Sequence, residues 1–109
     1  MTQGSGTDAN PRDGDFVTIE LALRDGQVRI LKAEARGCDS IGLMVRSLET
    51  LAHGKNEDQV WLLDVAAVGR EMGAMSEENE RCALTAIGAL RAALVDAHVR
   101  ARATGETRT

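Results

Sequence analysis

The residues of this chain whose types could carry soft-metal or thiol chemistry are its two cysteines, Cys38 and Cys82. Thiolates bind zinc and iron and act as nucleophiles, whereas a free cysteine without such a role is commonly a small buried hydrophobic residue. The two cysteines are far apart in the sequence, and neither belongs to a Cys-x-x-Cys pair. Spacing alone therefore favours two buried thiols over a metal site.

The other polar candidates favour structural roles. His53 precedes Gly54, where a histidine can bond the terminal carbonyls of a helix, and His98 lies among arginines on what we expect to be a solvated helix face. The acidic run at 76–80 is typical of a helix N-terminus. The sequence contains no Ser-His-Asp order, phosphate-binding glycine loop or HExxH motif, so no catalytic triad is predicted.

Composition excludes some classes of partner. The net charge is -4, and Phe16 and Trp61 are the only aromatic residues, so the chain lacks both the basic surface and the stacking groups of a nucleic-acid binder. Neither a secretory signal nor a stretch of roughly 20 apolar residues is recognised, and no membrane span is predicted. We therefore expect a cytoplasmic chain, in which cysteines are thiols or metal ligands rather than a disulfide.

The first half of the sequence predicts a disordered tail followed by a hairpin. Residues 1–12 are polar and carry too few apolar side chains to offset the entropy of ordering. From Phe16 to Leu23 apolar and polar residues alternate as in a half-buried strand, and Asp25-Gly26 suits a type I′ turn. A second strand is predicted over about 27–36, where the alternation is less regular.

Helices follow the hairpin. The first begins after Asp39 or Ser40 and ends at Gly54. Asn56 and Asp64 predict the starts of two further short helices, with one continuous helix as the alternative.

Ser76 opens a long final helix, and residues 103–109 are expected to be frayed. The apolar stripe of that helix comprises Ala83, Ile87, Leu90, Leu94 and Ala97. The predicted fold is α+β: a small antiparallel sheet with three or four helices packed on it. The sheet comprises the hairpin and can accept one extra strand.

Three segments, RDGDFVTIEL, ARGCDSIGLMVRSLETLAHGK and ENERCALTAIGALRAALVDA, resemble the NifU/IscU-type iron-sulfur cluster scaffold proteins. In that family a Cys-Gly-Asp segment leads into a strand, a Gly-Cys leads into a helix that closes with Gly-Lys, and a cysteine lies in the opening turns of the long last helix. The resemblance covers about Asp13 to Arg102. It implies one SufE/NifU-like domain over 13–102, between the disordered tail at 1–12 and the frayed tail at 103–109.

The resemblance also implies the site and its cargo. Cys38 and Cys82 match two of the family's three ligand cysteines, and Asp15 matches the aspartate of Cys-Gly-Asp. The family uses this set to hold zinc, or to assemble a cluster from iron and from sulfide that a cysteine desulfurase supplies. The implied partner is therefore a cysteine desulfurase or a protein that accepts the cluster.

The chain departs from the family pattern around the site. Asp13 replaces the first cysteine, Arg81 replaces a histidine and Asn79 replaces a lysine. The segment MSEEN replaces the Leu-Pro-Pro-Val-Lys that a dedicated Hsp70 chaperone grips in some members. The remaining metal set is Asp13, Asp15, Cys38 and Cys82, which suits zinc or iron better than a stable [2Fe-2S] cluster.

These residues support two main hypotheses. The first is a cluster scaffold or metal carrier, not an enzyme, that binds iron, zinc or a labile cluster and exchanges it with a protein partner. The alternative is a pseudo-scaffold that binds no metal, in which Arg81 takes the place of a cation and the chain serves as an accessory subunit. A third hypothesis, a sulfur acceptor, requires a reactive Cys38 thiolate.

Overall fold

The computed structural model of the chain describes residues 2–73 and 75–103. These residues form a three-stranded antiparallel sheet and four α-helices, which confirms the predicted α+β class. The strands lie in the order β1-β2-β3; α4 packs on β1 and β2, and α1 packs on β3 and α4. In chain order the elements are β1 (Thr2–Asn10), β2 (Asp15–Arg24), β3 (Gln27–Arg36), α1 (Ile41–Ala52), α2 (Glu57–Trp61), α3 (Val65–Met72) and α4 (Glu77–Ala103).

Strands β2 and β3 form the hairpin that the alternating pattern predicts. Asp25 and Gly26 have φ angles of 53° and 80°, the positive values that a type I′ turn requires. The pairing shifts between Glu20 and Leu21, so that the register skips Leu31 of β3. This bulge explains why the alternation in the second strand is irregular.

Residues 2–10 form strand β1, so the prediction of a disordered tail at 1–12 was wrong for this segment; residue 1 lies outside the described part of the chain. Every residue of Thr2–Asn10 is paired with β2. The strand needs no large apolar side chains because it lies directly on α4, where a Cβ added to Gly4 or Gly6 would overlap the backbone at Ala93. Pairing with β2 and close contact with the α4 backbone stabilise this strand without burial of large apolar side chains.

Helix α1 begins and ends where the sequence predicts. Ser40 occupies its N-cap position, but the side chain of Ser40 makes no capping hydrogen bond. At the other end, Gly54 has a φ of 75° and Lys55 N–H bonds the carbonyl of Ala52. The apolar face of α1, at Met44 and Leu48, is fully buried.

The next two helices are separate, as the two predicted caps indicate. Asn56 and Gln59 form a reciprocal capping box at the start of α2, with bonds of 2.8 and 3.0 Å. The carboxylate of Asp64 accepts a hydrogen bond from Ala67 N–H at the start of α3. The alternative of one continuous helix was wrong.

The last helix, α4, supplies much of the core. Ser76 caps its start by accepting a bond from Asn79 N–H at 3.1 Å, and all five residues of the predicted apolar stripe are buried. By length and composition α4 meets the requirements of a membrane span, with a mean hydropathy of 1.4 over 18 residues, but 56% of that window is buried inside the fold. Its apolar side chains are thus accounted for by the core. Residues 104–109 of the predicted frayed tail lie outside the described part of the chain.

Candidate metal site

Asp15 is a buried carboxylate at the start of β2. It continues the inward-facing positions of Val17 and Ile19 and is only 2% exposed. Its Oδ1 accepts a hydrogen bond from the backbone N–H of Cys38 at 2.8 Å, whereas its Oδ2 has no hydrogen-bond partner among the described residues. Because a buried polar atom without a partner costs free energy, Oδ2 of Asp15 is an atom suited to a ligand.

Gly37 allows the turn before α1 to approach Asp15. Its φ of 142° lies in the region that favours glycine, and a Cβ added there would overlap the carboxylate and the Cα of Asp15. The carbonyl of Cys38 then accepts a bond from Ile41 N–H at 3.0 Å as the helix begins. Gly37 therefore brings the backbone of Cys38 to the carboxylate.

Cys82 lies in the second turn of α4 and is fully buried. In this structure its sulfur is joined to that of Cys38 as a disulfide, with Cα atoms 6.7 Å apart. The sequence analysis predicted free thiols or metal ligands instead. The difference arises because the start of α4 packs beside the turn before α1, which places the two sulfurs in contact.

Asp15, Cys38 and Cys82 together form what we call the three-ligand group. Each offers one ligand atom, and these atoms all lie within 4.8 Å of one another. Asp15 and Cys82 are buried and Cys38 is half-buried, so solvent reaches the group beside Cys38. Two sulfurs and one carboxylate oxygen match the donors that zinc and iron prefer. Since metal ligation requires thiolates, the disulfide must be reduced before a metal can bind.

Asp13, the fourth predicted ligand, is engaged in an ion pair. Arg81 donates from Nε to Oδ2 at 2.6 Å and from Nη2 to Oδ1 at 3.2 Å, and Asn10 donates to Oδ2 at 2.8 Å. The Arg81 hydrogen bond lowers the pKa of Asp13, and the same bond raises the pKa of Arg81. Arg81 therefore contacts a carboxylate as the pseudo-scaffold hypothesis expects, and that carboxylate is Asp13.

The two histidines lie outside the three-ligand group. The backbone N–H of His53, rather than its imidazole, bonds the carbonyl of Glu49 at the end of α1. His98 is exposed, as predicted, and its Nδ1 lies 3.6 Å from a carboxylate oxygen of Glu57. It borders an apolar groove of about 280 Å³ beside Trp61. Neither histidine is placed to bind a metal with the cysteines.

Asn10 is a partner of Asp13 that the sequence analysis missed, because it falls in the segment predicted to be disordered. Besides its bond to Asp13, its side-chain oxygen accepts from Arg12 N–H at 3.1 Å across the turn between β1 and β2. The signal that could have found it is the dipeptide Asn10-Pro11, which is typical of a turn.

Comparisons with known proteins find relatives of the chain. No protein-family model matches the chain. Two curated proteins of Archaeoglobus fulgidus do match it; they are named iron-sulfur cluster assembly scaffold proteins IscU 1 and IscU 2. Each is 31% identical to the chain over 94 residues, which are 85% of the length of the chain. The chain is similar to these IscU-type scaffold proteins. The resemblance identified from its sequence segments is confirmed.

The match covers only part of each of these relatives. It covers 61% of the length of each IscU protein, so the chain spans less than two thirds of the proteins it matches. What the named relatives assemble is therefore a basis for a proposal about this chain, and the proposal depends on the three-ligand group.

Proposed function

We propose that the chain is an iron-sulfur cluster assembly scaffold or metal carrier. It binds iron, zinc or a labile cluster as cargo through the three-ligand group and exchanges that cargo with a protein partner. The observation that supports this most directly is the buried, unpartnered Oδ2 of Asp15 within 4.8 Å of the two sulfurs. The names of the two relatives describe the same kind of cargo.

The chemistry of the donors suits a carrier. Thiolates of Cys38 and Cys82 hold a soft or borderline cation, and the harder carboxylate of Asp15 completes a site that must later release its contents. The Cys38 N–H orients that carboxylate before any cargo arrives. No step here requires turnover of a substrate, so we assign binding and transfer and no enzymatic activity.

The partners and the compartment follow from the same proposal. Iron and sulfur must be delivered and the cargo then withdrawn, which calls for a cysteine desulfurase as sulfur donor, a reductant that converts its persulfide sulfur to sulfide, and an apoprotein as cluster acceptor. A reducing compartment such as the cytoplasm would keep Cys38 and Cys82 in the thiol form that binds metal.

A second function, that of an accessory pseudo-scaffold, is favoured by the ion pair between Asp13 and Arg81. A guanidinium that neutralises a carboxylate beside the three-ligand group reduces the need for a metal cation there. In this case the fold is retained for protein contacts, and partner binding would survive replacement of both cysteines.

Anaerobic loading separates the two functions. The reduced chain is incubated with Fe²⁺ and sulfide, or with Zn²⁺, and freed of unbound ions before metal and sulfide are counted per chain. For a carrier, Cys38→Ser, Cys82→Ser and Asp15→Asn should each abolish retention, whereas Asp39→Asn, an exposed acidic neighbour of Cys38, should retain it. Retention by the wild type that is no greater than by the serine variants would favour the pseudo-scaffold.

A further inference from the structure

The ion pair between Asp13 and Arg81 points to a limit on the cargo of the site. We propose that Arg81 is a specificity-determining residue that keeps Asp13 out of the three-ligand group. The site then has three protein ligands, which suit one divalent ion with a coordination position open to an outside ligand, rather than a two-iron cluster. This inference rests on the proposed function, because it names the cargo of the same site.

Both oxygens of Asp13 are already used. Arg81 contacts one oxygen through Nε and the other through Nη2, and Asn10 adds a third hydrogen bond. The side chain of Asp13 is only 10% exposed, which shields this forked contact from water. A carboxylate held in this way must break charge-assisted hydrogen bonds before it can bind a metal.

The ion pair and the three-ligand group are held by the same elements. Arg81 directly precedes Cys82 on α4, and Asp13 lies two residues before Asp15 at the start of β2. Consecutive residues on a helix point about 100° apart, so Cys82 faces the core while Arg81 faces the turn between β1 and β2. Arg81 can therefore be replaced without removing the packing around Cys82.

Ligand number then decides which cargo fits. A [2Fe-2S] cluster is held by four protein ligands, whereas a four-coordinate ion bound by three protein ligands keeps one position for water or another molecule. The three-ligand group has one ligand too few for a cluster, and Asp13, the carboxylate two residues before Asp15, is held by Arg81. A single ion with one exchangeable position fits the residues that remain.

Cobalt(II) is a suitable probe, because its absorption reports both thiolate ligation and changes in coordination. The full chain is reduced, kept anaerobic and titrated with Co²⁺ against a competing chelator, first alone and then with imidazole as an outside ligand. The variants are Arg81→Ala, Asp13→Asn, the double variant, and Arg81→Lys, which keeps the charge but loses the planar fork. Circular dichroism checks that each is folded.

The wild type should bind one Co²⁺, and imidazole should shift its spectrum. In Arg81→Ala the released carboxylate should raise Co²⁺ affinity by about tenfold and suppress the imidazole shift. Asp13→Asn alone should keep the imidazole shift of the wild type, and the double variant, which has neither charge, should return to wild-type affinity. The Co²⁺ affinity and the imidazole shift of Arg81→Lys should lie between those of Arg81→Ala and the wild type.

Two results would overturn the inference while leaving the proposed function intact: Arg81→Ala with wild-type affinity and an unchanged imidazole shift, or the double variant with about tenfold weaker binding than the wild type. The second result would show that Asp13 is itself a ligand, because the double variant has no unpaired guanidinium that could repel the ion. If neither the wild type nor Arg81→Ala binds Co²⁺, the proposed function and the inference both fail.

Discussion

The backbone N–H of Cys38 donates a hydrogen bond to Oδ1 of Asp15 at 2.8 Å and so joins the turn before α1 to the start of β2. The bond fixes the carboxylate and leaves Oδ2 buried without a partner among the described residues. One ligand candidate is thus positioned by the fold itself, before any cargo binds.

Replacing Asp15 by asparagine separates its two roles. The amide oxygen of Asp15→Asn can still accept the bond from Cys38 N–H, so the free energy of unfolding should change by about 1 kcal/mol or less. The charged ligand oxygen is lost, so Zn²⁺ affinity of the reduced chain should fall by about tenfold or more. Urea unfolding and chelator competition measure the two effects. Asp39→Asn serves as the charge-matched control, and equal Zn²⁺ affinity of Asp15→Asn and wild type would rule out ligation by Asp15.

Gly37→Ala should disturb the site through backbone strain and steric overlap together. Its φ of 142° disfavours a side chain, and the added Cβ meets the Asp15 carboxylate and Cα. Gly54→Ala has a φ of 75° and open space around its Cβ, so it measures the cost of a positive φ without any overlap. We expect a loss of about 1 kcal/mol for Gly54→Ala and at least about 2 kcal/mol for Gly37→Ala in urea unfolding. Equal losses would show that the overlap with Asp15 does not matter.

Gly6→Ala tests the packing of β1 on α4. A Cβ there would overlap the α4 backbone at Ala89 and Ala93, and overpacking of this kind costs about 1–3 kcal/mol. Hydrogen exchange of the β1 amides should become faster as the strand loosens. Gly42→Ala, in α1 with open space around it, should instead stabilise the chain by about 0.5–1 kcal/mol. Unchanged β1 protection in Gly6→Ala would mean that β1 is not held by this contact.

The fold could be predicted wherever a local pattern determines the local structure. Apolar alternation located β2, Asp25-Gly26 located the turn, and Asn56 and Asp64 located two helix starts. Strand β1 could not be predicted because nothing in its own composition favours burial; its stability comes from pairing with β2 and from glycines against α4. Those partners are distant in the sequence, so the local composition of residues 1–12 predicted disorder.

The site could be predicted only through the resemblance. Asp15, Cys38 and Cys82 converge from a strand start, a turn and a helix, and no local spacing relates them. That Arg81 could take the place of a cation at the site was an alternative in the sequence analysis, but its pairing with Asp13 depends on α4 reaching the turn between β1 and β2. The disulfide was not predicted, because contact of the sulfurs follows from tertiary packing alone.

Low pH should destabilise the folded chain partly through protonation of Asp13. The Arg81 hydrogen bond lowers the pKa of Asp13 below its ordinary value of 3.8 in the folded chain. The ion pair therefore stabilises the folded chain fully at a pH above the pKa that Asp13 has in the unfolded chain. This stabilisation is lost as the pH falls through the lower pKa that Asp13 has in the folded chain. The difference in unfolding free energy between wild type and Arg81→Ala should narrow as the pH is lowered from about 6 to about 2, and salt should also reduce it. Parallel pH profiles for the two proteins would contradict this role of the ion pair.

The most direct test of metal binding is elemental analysis of the chain purified anaerobically with reductant present, without added metal. The wild type should carry about one zinc or iron per chain, and Cys38→Ser and Cys82→Ser should each lose it, because removal of either sulfur leaves too few ligands. Asp39→Asn, purified in parallel, should keep the wild-type content. A wild type with no more metal than the two serine variants would contradict the assignment of this site as a metal or cluster carrier.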